Sequence, residues 1–179
     1  FIEPEGRTVE LVAGQAAFIP PTWPCGVTSV RAQAVVVSVA SPPPVEGAMY
    51  TLPVEIDPPR PAAVVDEDEQ PVEPAGDDRQ FRVLIDPRHG ARHVTQFVGF
   101  IHRSRAPFHT HTYEEAIYIL EGDGILHVAG DDGFDAPIRP GSSIFLPPGT
   151  PHCLENSSDG VLKLLGVFSP PGSPGPRGD

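Results

Sequence analysis

The chain has 179 residues, 39% of them hydrophobic, and carries a formal net charge of −12 at pH 7. This charge argues against nucleic acid as a partner, because phosphates would be repelled by the field of such a protein. No apolar run approaches the length of a membrane span, so we expect no membrane partner. The two cysteines are too few for a disulfide framework, which makes a reducing, cytoplasmic location the simpler expectation.

The first segment, 1–52, contains a stretch that recurs near the other end of the chain. Residues 14–25 align without gaps on residues 141–152, which places Phe18 on Phe145 and Cys25 on His152. Repeats of this kind indicate duplicated structural units. We therefore expect two related units in tandem.

The segment between the copies, 53–79, is rich in proline and acidic residues. Such a composition buries little surface and repels itself, so we predict an extended linker or a strap lying over the surface of a domain. A solvated acidic tether is a simpler interpretation than a partner-binding tail. The last residues, 173–179, are predicted to form a surface tail.

The segment 80–172 alternates short apolar runs with turn sequences. The runs are 94–101, 116–120, 124–128, 143–146 and 161–168. Glycine- and proline-rich turns separate them, and no stretch has the pattern of a long amphipathic helix. The 24 prolines and 18 glycines of the chain agree with strands joined by turns. We predict an all-β domain.

Two blocks in this domain carry histidines at regular positions. The first block contains His109, His111 and Glu115 and ends at Gly122; the second contains His152. The two histidines one residue apart point the same way on a strand, because side chains alternate along it. A carboxylate and a later histidine can then complete a metal site.

The two blocks resemble the signature motifs of the cupin superfamily. The matching positions are His109, His111, Glu115, Gly122, Gly141, Pro147, Gly149, His152 and Asn156. Arg103 stands where the family usually opens its first motif with a glycine, which leaves the shape of that turn open. The resemblance implies a double-stranded β-helix of the cupin, or jelly-roll, type, in which two antiparallel sheets close around a central site.

By the same resemblance, the repeat implies a bicupin. The segment 1–52 would be the second half of a degenerate N-terminal cupin, and 80–172 the complete metal-binding cupin. Cys25 stands for the metal histidine in the first copy, so that copy is expected to hold no metal. Because the chain begins at Phe1 without methionine, we expect further residues before it.

The ligand set that the resemblance implies is His109, His111, Glu115 and His152. Three nitrogens and one oxygen would hold one divalent transition metal per chain and leave two positions open on a six-coordinate ion. Fe(II) is favoured, with Mn, Ni, Zn, Co and Cu as alternatives. The remaining histidines are expected to be hydrogen-bonded residues rather than ligands: His89, His93, His102 and His127.

Strand alternation predicts the walls of the pocket around the ion. The side chains that share a face with Glu115 or His152 are Ile117, Ile119, Leu154 and Asn156. Largely aliphatic walls favour a substrate with a chelating oxygen end and a hydrophobic or aromatic body.

Three further residues are candidates for the mouth of the pocket. Arg103 and Arg105 could neutralise a substrate carboxylate, although solvated arginines paired with surface acids are the simpler interpretation. Tyr113 could donate a hydrogen bond behind the ligands or cap the turn. No catalytic residue is assigned from the sequence.

Three classes of function fit these patterns. A metal-dependent, dioxygenase-type oxidoreductase acting on a small oxygenated or aromatic molecule fits the ligands and the apolar walls. The alternatives are a metal-dependent lyase, isomerase or decarboxylase, and a non-catalytic cupin that binds a small ligand. The resemblance also implies a homodimer.

Overall fold

A computed structural model describes residues 9–20, 34–41, 63–76 and 78–175. The strands are β1 (Gln15–Phe18), β2 (Ala63–Asp66), β3 (Glu73–Gly76), β4 (Arg79–Ile85), β5 (Thr95–Ile101), β6 (Glu114–Glu121), β7 (Gly124–Val128), β8 (Phe134–Ile138), β9 (Ser143–Leu146), β10 (His152–Asn156) and β11 (Leu162–Ser169). Two short 3-10 turns, Glu67–Glu69 and Pro87–His89, complete the regular structure of these residues. No helix among them is long and apolar enough to cross a membrane. The predicted all-β class is confirmed.

Two antiparallel sheets enclose the main core. The larger sheet has the strand order β3-β4-β5-β11-β6-β9, and the smaller has the order β10-β7-β8. Alternate side chains of both sheets point inward, as the period-two pattern requires. The buried cluster between the sheets includes Phe81, Phe97, Ile117, Ile119, Leu126, Leu154, Leu162, Leu164 and Phe168.

A second apolar cluster covers the opposite, outer face of the large sheet. Val98 and Leu165 are paired across β5 and β11 and lie in this cluster together with Val65 of strand β2. Strand β2 pairs with β1, so the two strands form a small ribbon over the outer face. The large sheet is therefore apolar on both sides.

Ion pairs hold the acidic segment against the same face. Lys163 Nζ lies 2.7 Å from Glu67 Oε1, and Arg82 Nη1 donates to Glu67 O at 2.7 Å and to Asp68 Oδ1 at 2.9 Å. Within the described part of the predicted linker, strand β2 lies over this face with β1, and strand β3 forms the edge of the large sheet beside β4. The first part of the linker, 53–62, lies outside the described residues.

The N-terminal copy is described only in part. Strand β1 falls on strand β9 within one residue in the alignment of the repeat. Gly14 and Gly141, which are equivalent in the repeat, both have positive φ, 85° and 92°. A second complete cupin unit is not present among the described residues, and Cys25 lies outside them.

Asn156 ties the end of strand β10 to the chain that leaves β5. Its Nδ2 lies within hydrogen-bond distance of the carbonyl oxygens of Ile101, His102 and Gly160, at 2.9, 2.7 and 2.7 Å. The chain then runs beside β10, where Ala106 N–H donates to Leu154 O at 3.1 Å. This route carries the first histidine motif to the start of β10.

Candidate metal centre

His109 and His152 form a cross-strand pair at the start of strand β10. Each backbone N–H donates to the other residue's carbonyl, at 3.1 and 3.0 Å. Directly opposed residues of antiparallel chains present their side chains on the same face. The two imidazole centroids are accordingly 4.4 Å apart.

His111 completes a triad. Its ring centroid lies 4.9 Å from that of His109 and 5.5 Å from that of His152. One ligand nitrogen of each histidine lies within 4.8 Å of the others, so the three side chains could hold one metal ion. The predicted histidine ligands are thus brought together by the fold.

Two of the imidazoles are oriented by backbone carbonyls. His109 Nδ1 lies 3.1 Å from Pro107 O, and His152 Nδ1 lies 3.0 Å from Thr150 O. In each case the acceptor is two residues before the histidine. Donation from Nδ1 fixes the tautomer and leaves Nε2 as the nitrogen available to a metal.

Glu115 is the buried anion of the site. Its Oε2 lies 3.4 Å from His111 Nε2 and 3.2 Å from His152 Nε2, and its side chain is 8% exposed. Neither contact is aligned as a hydrogen bond, so this buried oxygen has no hydrogen-bond partner among the described residues. Glu115 faces the triad but is not among the three side chains whose ligand atoms cluster, so its role as a ligand stays a prediction.

The site shifts the pKa values of its own groups. Burial raises the pKa of Glu115, but the imidazoles of His111 and His152 outweigh it and hold that pKa below its usual value. Burial lowers the pKa of His152, but Glu115 and the Thr150 carbonyl reverse the effect and raise it. For His109, burial wins and lowers the pKa, with help from the two other imidazoles. The charge of each of these side chains therefore affects proton binding by its neighbours.

The predicted aliphatic walls lie on the inner faces of the sheets. Ile117, Ile119 and Leu154 are 4%, 0% and 6% exposed and belong to the main core. Their burial follows strand alternation from Glu115 and His152. Their role in substrate binding stays a prediction.

Of three other pocket candidates, Arg103 and Asn156 lie at the end of strand β10 far from His152, whereas Arg105 bridges to Glu155 and its side chain reaches Cys153. Arg103 forms an ion pair with Asp159, and Arg105 lies over the ring of Phe108 with its Cζ 5.2 Å from the centroid. Both arginines line a surface cavity of about 420 Å³ together with Asn156. Asn156 and His152 stand at opposite ends of β10, about 13 Å apart at ~3.3 Å per residue. The ion pair of Arg103 with Asp159 agrees with the simpler interpretation of a solvated arginine paired with a surface acid, and a role of either arginine at the mouth of the pocket stays a prediction.

Tyr113 lies beside the ligands, and the predicted hydrogen bond or turn cap stays a prediction. Its ring stacks on that of His111, with centroids 4.9 Å apart and an interplanar angle of 12°. Phe168 contacts both rings and was not singled out from the sequence. Phe168 lies near the ligands because strand β11 pairs it with Glu115. Only the register between β11 and β6 would have predicted this position.

Two of the other histidines make the structural contacts that were expected of them. His127 Nδ1 lies 2.6 Å from Asp135 Oδ1, and its Nε2 lies 2.9 Å from Glu155 Oε2. His89 Nδ1 lies 3.0 Å from Asp86 Oδ1 in the turn after β4. Neither belongs to the cluster that could hold a metal.

Comparison with known proteins agrees with this geometry. Residues 98–168 match the family described as the cupin domain, so the chain contains a cupin domain with a histidine triad. The chain is 39% identical over 69 residues to an uncharacterized protein of Methanocaldococcus jannaschii, which covers 38% of this chain and 53% of that protein. It is 38% identical over 66 residues to an oxalate-binding protein of Thermotoga maritima, covering 36% and 52%. The chain thus spans about half the length of these relatives.

Two further proteins are named for their activity. A 3-hydroxyanthranilate 3,4-dioxygenase of Jannaschia sp. is 36% identical over 62 residues, which cover 34% of each chain. The solved structure of the polyketide cyclase RemF from Streptomyces resistomycificus superposes with a TM-score of 0.52 at 28% identity, over 59% of this chain and 77% of that one. Segments similar to this one therefore occur in proteins of different named activity.

Proposed function

We propose that the chain is a metal-dependent cupin enzyme of the dioxygenase-type oxidoreductase class, acting on a small oxygenated or aromatic molecule. One divalent transition metal, Fe(II) by preference, would be held by His109, His111, His152 and Glu115. The observation that carries the proposal is the buried Oε2 of Glu115, which faces two imidazole Nε2 atoms and lacks a hydrogen bond. Burying an ionised carboxylate without full compensation costs several kcal/mol, and a cation among the same four side chains would remove that cost.

The four residues divide the work of holding the ion. His109 and His152 are fixed by carbonyl acceptors, so they can present Nε2 without loss of side-chain freedom on binding. Glu115 supplies the single negative charge, which leaves a bound divalent ion with a net positive charge toward an anionic substrate. A bound ion would supply Lewis-acid polarisation of substrate oxygens and redox chemistry with dioxygen.

The surroundings of the ligands favour a substrate with an apolar part. Tyr113, Phe168 and Leu146 are all buried beside ligand residues, and Leu146 is the cross-strand partner of Glu115. Apolar neighbours exclude water and strengthen the electrostatic interactions of the site. The similarity to a dioxygenase of an aromatic acid and to a polyketide cyclase supports this choice.

A second candidate is binding of a small dicarboxylate, with or without its decarboxylation. The similarity to the oxalate-binding protein of Thermotoga maritima favours it. The same open metal positions would serve a chelating dicarboxylate. Turnover with consumption of oxygen separates the two candidates.

The first test is metal content, measured by mass spectrometry on protein purified without chelator or nickel resin. We expect near one equivalent of iron in the wild type and its loss in His109→Ala and His152→Ala. His93→Ala is the matched control, because His93 is exposed and outside the triad. Equal metal content in all four proteins would refute the proposed ligands.

The second test is oxygen uptake by the Fe(II)-loaded protein with hydroxylated aromatic acids and short dicarboxylic acids. Uptake with an aromatic acid, abolished by His152→Ala, supports the dioxygenase class. Tight binding of a dicarboxylate without uptake supports the second candidate. We also propose a homodimer in the cytoplasm. Light scattering on the purified protein would test the dimer.

A further inference from the structure

The imidazole of His111 is held differently from the two others. His109 and His152 direct Nδ1 to a carbonyl two residues earlier in the chain. His111 is instead packed between aromatic rings, with Tyr113 stacked at 4.9 Å and Phe168 tilted at 5.1 Å. Its orientation therefore depends on side-chain packing.

The aromatic packing around His111 is itself anchored in the core. Tyr113 and Phe168 contact each other at 4.7 Å between centroids, and Phe168 contacts Phe97 at 4.8 Å. Tyr113 is 9% exposed and Phe168 is 2% exposed. Rings packed on several sides have little freedom to move, since interiors are close-packed.

The chain that follows strand β11 packs against the Tyr113 ring of this stack. Gly172 lies directly on the tyrosine: a Cβ at this position would stand 2.8 Å from Tyr113 Cζ and 2.9 Å from both Cε1 and Oη. Any side chain at 172 would displace the ring. Because the ring is stacked on His111 and packed on Phe168, the displacement would be passed to the ligand.

We propose that Tyr113, pressed into place by Gly172, is a positioning residue that sets the direction of His111 Nε2. The inference rests on the proposed metal site and adds to it the residues that fix its third histidine. A parallel aromatic face also favours an imidazole that gains positive character when it binds a cation. Outer-sphere partners of this kind typically change metal affinity by about ten- to a hundredfold.

The experiment titrates the metal-free full chain with Co(II), whose visible bands report coordination geometry, and measures the dissociation constant by calorimetry. The variants are Tyr113→Leu, Tyr113→Phe and Gly172→Ala. Gly160→Ala is the control for the glycine change, because a Cβ there meets nothing within 4 Å. Thermal unfolding verifies that each variant is folded.

We expect Tyr113→Leu and Gly172→Ala to weaken Co(II) binding about tenfold or more and to alter the visible bands. Tyr113→Phe and Gly160→Ala should keep both properties of the wild type. If Tyr113→Leu is unfolded, Gly172→Ala decides, since it shifts the Tyr113 ring without removing any side chain of the stack.

Two outcomes would contradict the positioning role of Tyr113, and only one of them would also contradict the proposed metal site. Wild-type affinity and bands in both Tyr113→Leu and Gly172→Ala would reject the positioning role and leave the metal site intact. Absence of Co(II) binding in the wild type would reject the proposed function, and the positioning role with it.

Discussion

Glu115 Oε2 and His152 Nε2 lie 3.2 Å apart inside the domain, and each side chain shifts the pKa of the other. Burial alone would lower the pKa of His152, yet the carboxylate raises it; burial alone would raise the pKa of Glu115, yet the imidazoles lower it. The pair thus favours the protonated form of His152 and the ionised form of Glu115, and a metal ion would compete with that proton.

The first prediction concerns this pair. In metal-free Glu115→Gln the pKa of His152 should fall, because burial then acts on it without a neighbouring anion. Proton NMR titration of the His152 ring in the wild type and the variant measures the change. An unaltered or higher pKa in the variant would contradict the pairing.

The sign of the pH dependence follows from the same shift. Because the pKa of His152 is raised in the folded state, its protonation stabilises the fold at pH values below the ordinary histidine pKa. This contribution is lost as the pH rises through the folded-state pKa. Metal binding has the opposite dependence, because His152 must lose its proton first. Metal affinity should therefore increase between pH 6 and 8, and less steeply in Glu115→Gln than in the wild type.

The second prediction concerns Asn156, which joins the loop after β5 to the turn after β10. Asn156→Ala should lower the free energy of unfolding by roughly 2–4 kcal/mol, because it leaves several carbonyls without a partner. Urea unfolding of metal-free protein gives this value. Ser158→Ala, which removes only the Oγ bond to Asn156 Oδ1 at 2.7 Å, should cost far less.

Metal affinity provides the counterpart to that measurement. Asn156 lies at the far end of β10 from His152, so Co(II) binding to folded Asn156→Ala should stay within about threefold of the wild type, the effect of a remote and weakly coupled site. A loss as large as that of His152→Ala would mean that Asn156 reaches the site after all.

The third prediction compares two motif glycines with positive φ. A Cβ on Gly122 would stand 2.6 Å from Val161 O and 3.0 Å from Leu162 Cα, whereas on Gly141 the nearest group is Tyr118 Oη at 3.9 Å. Gly141→Ala should cost about 1 kcal/mol of backbone strain. Gly122→Ala should cost roughly 2 kcal/mol more, because backbone atoms must also move. Equal losses in urea unfolding would argue against the close approach of Val161.

The fourth prediction concerns the cap of the turn Pro87–His89. Burial raises the pKa of Asp86, but hydrogen bonds from Arg88 and His89 outweigh it and lower the pKa below 3.8. Asp86→Ala should destabilise the metal-free protein at neutral pH by about 1 kcal/mol, the usual size of a lost cap. Because the pKa of Asp86 is lowered in the folded state, the ionised carboxylate stabilises the fold at pH values above the unfolded-state pKa. This contribution is lost as the pH falls through the folded-state pKa. The gap between wild type and variant should therefore narrow as pH is lowered from 7 toward 3.5.

The sequence is most informative where a residue's direction depends only on strand alternation. Ile117, Ile119 and Leu154 are buried because they share a face with a ligand, and the histidines meet because their strands pair. Arg105 could not be placed in this way, since its direction depends on the path of a loop along β10. Strand β2 was hidden in an acidic segment, because its pairing with β1 is set by distant partners.

The ribbon of β1 and β2 covers an apolar face that a shorter fragment of the chain would expose. A fragment beginning at residue 78 would retain every proposed ligand and the core between the sheets. It would also uncover Val98 and Leu165, which are 2% and 9% exposed beneath the ribbon, and leave Lys163 without Glu67. An apolar sheet face open to water favours association between molecules. The unit that keeps this apolar face covered is thus larger than the unit that carries the ligands.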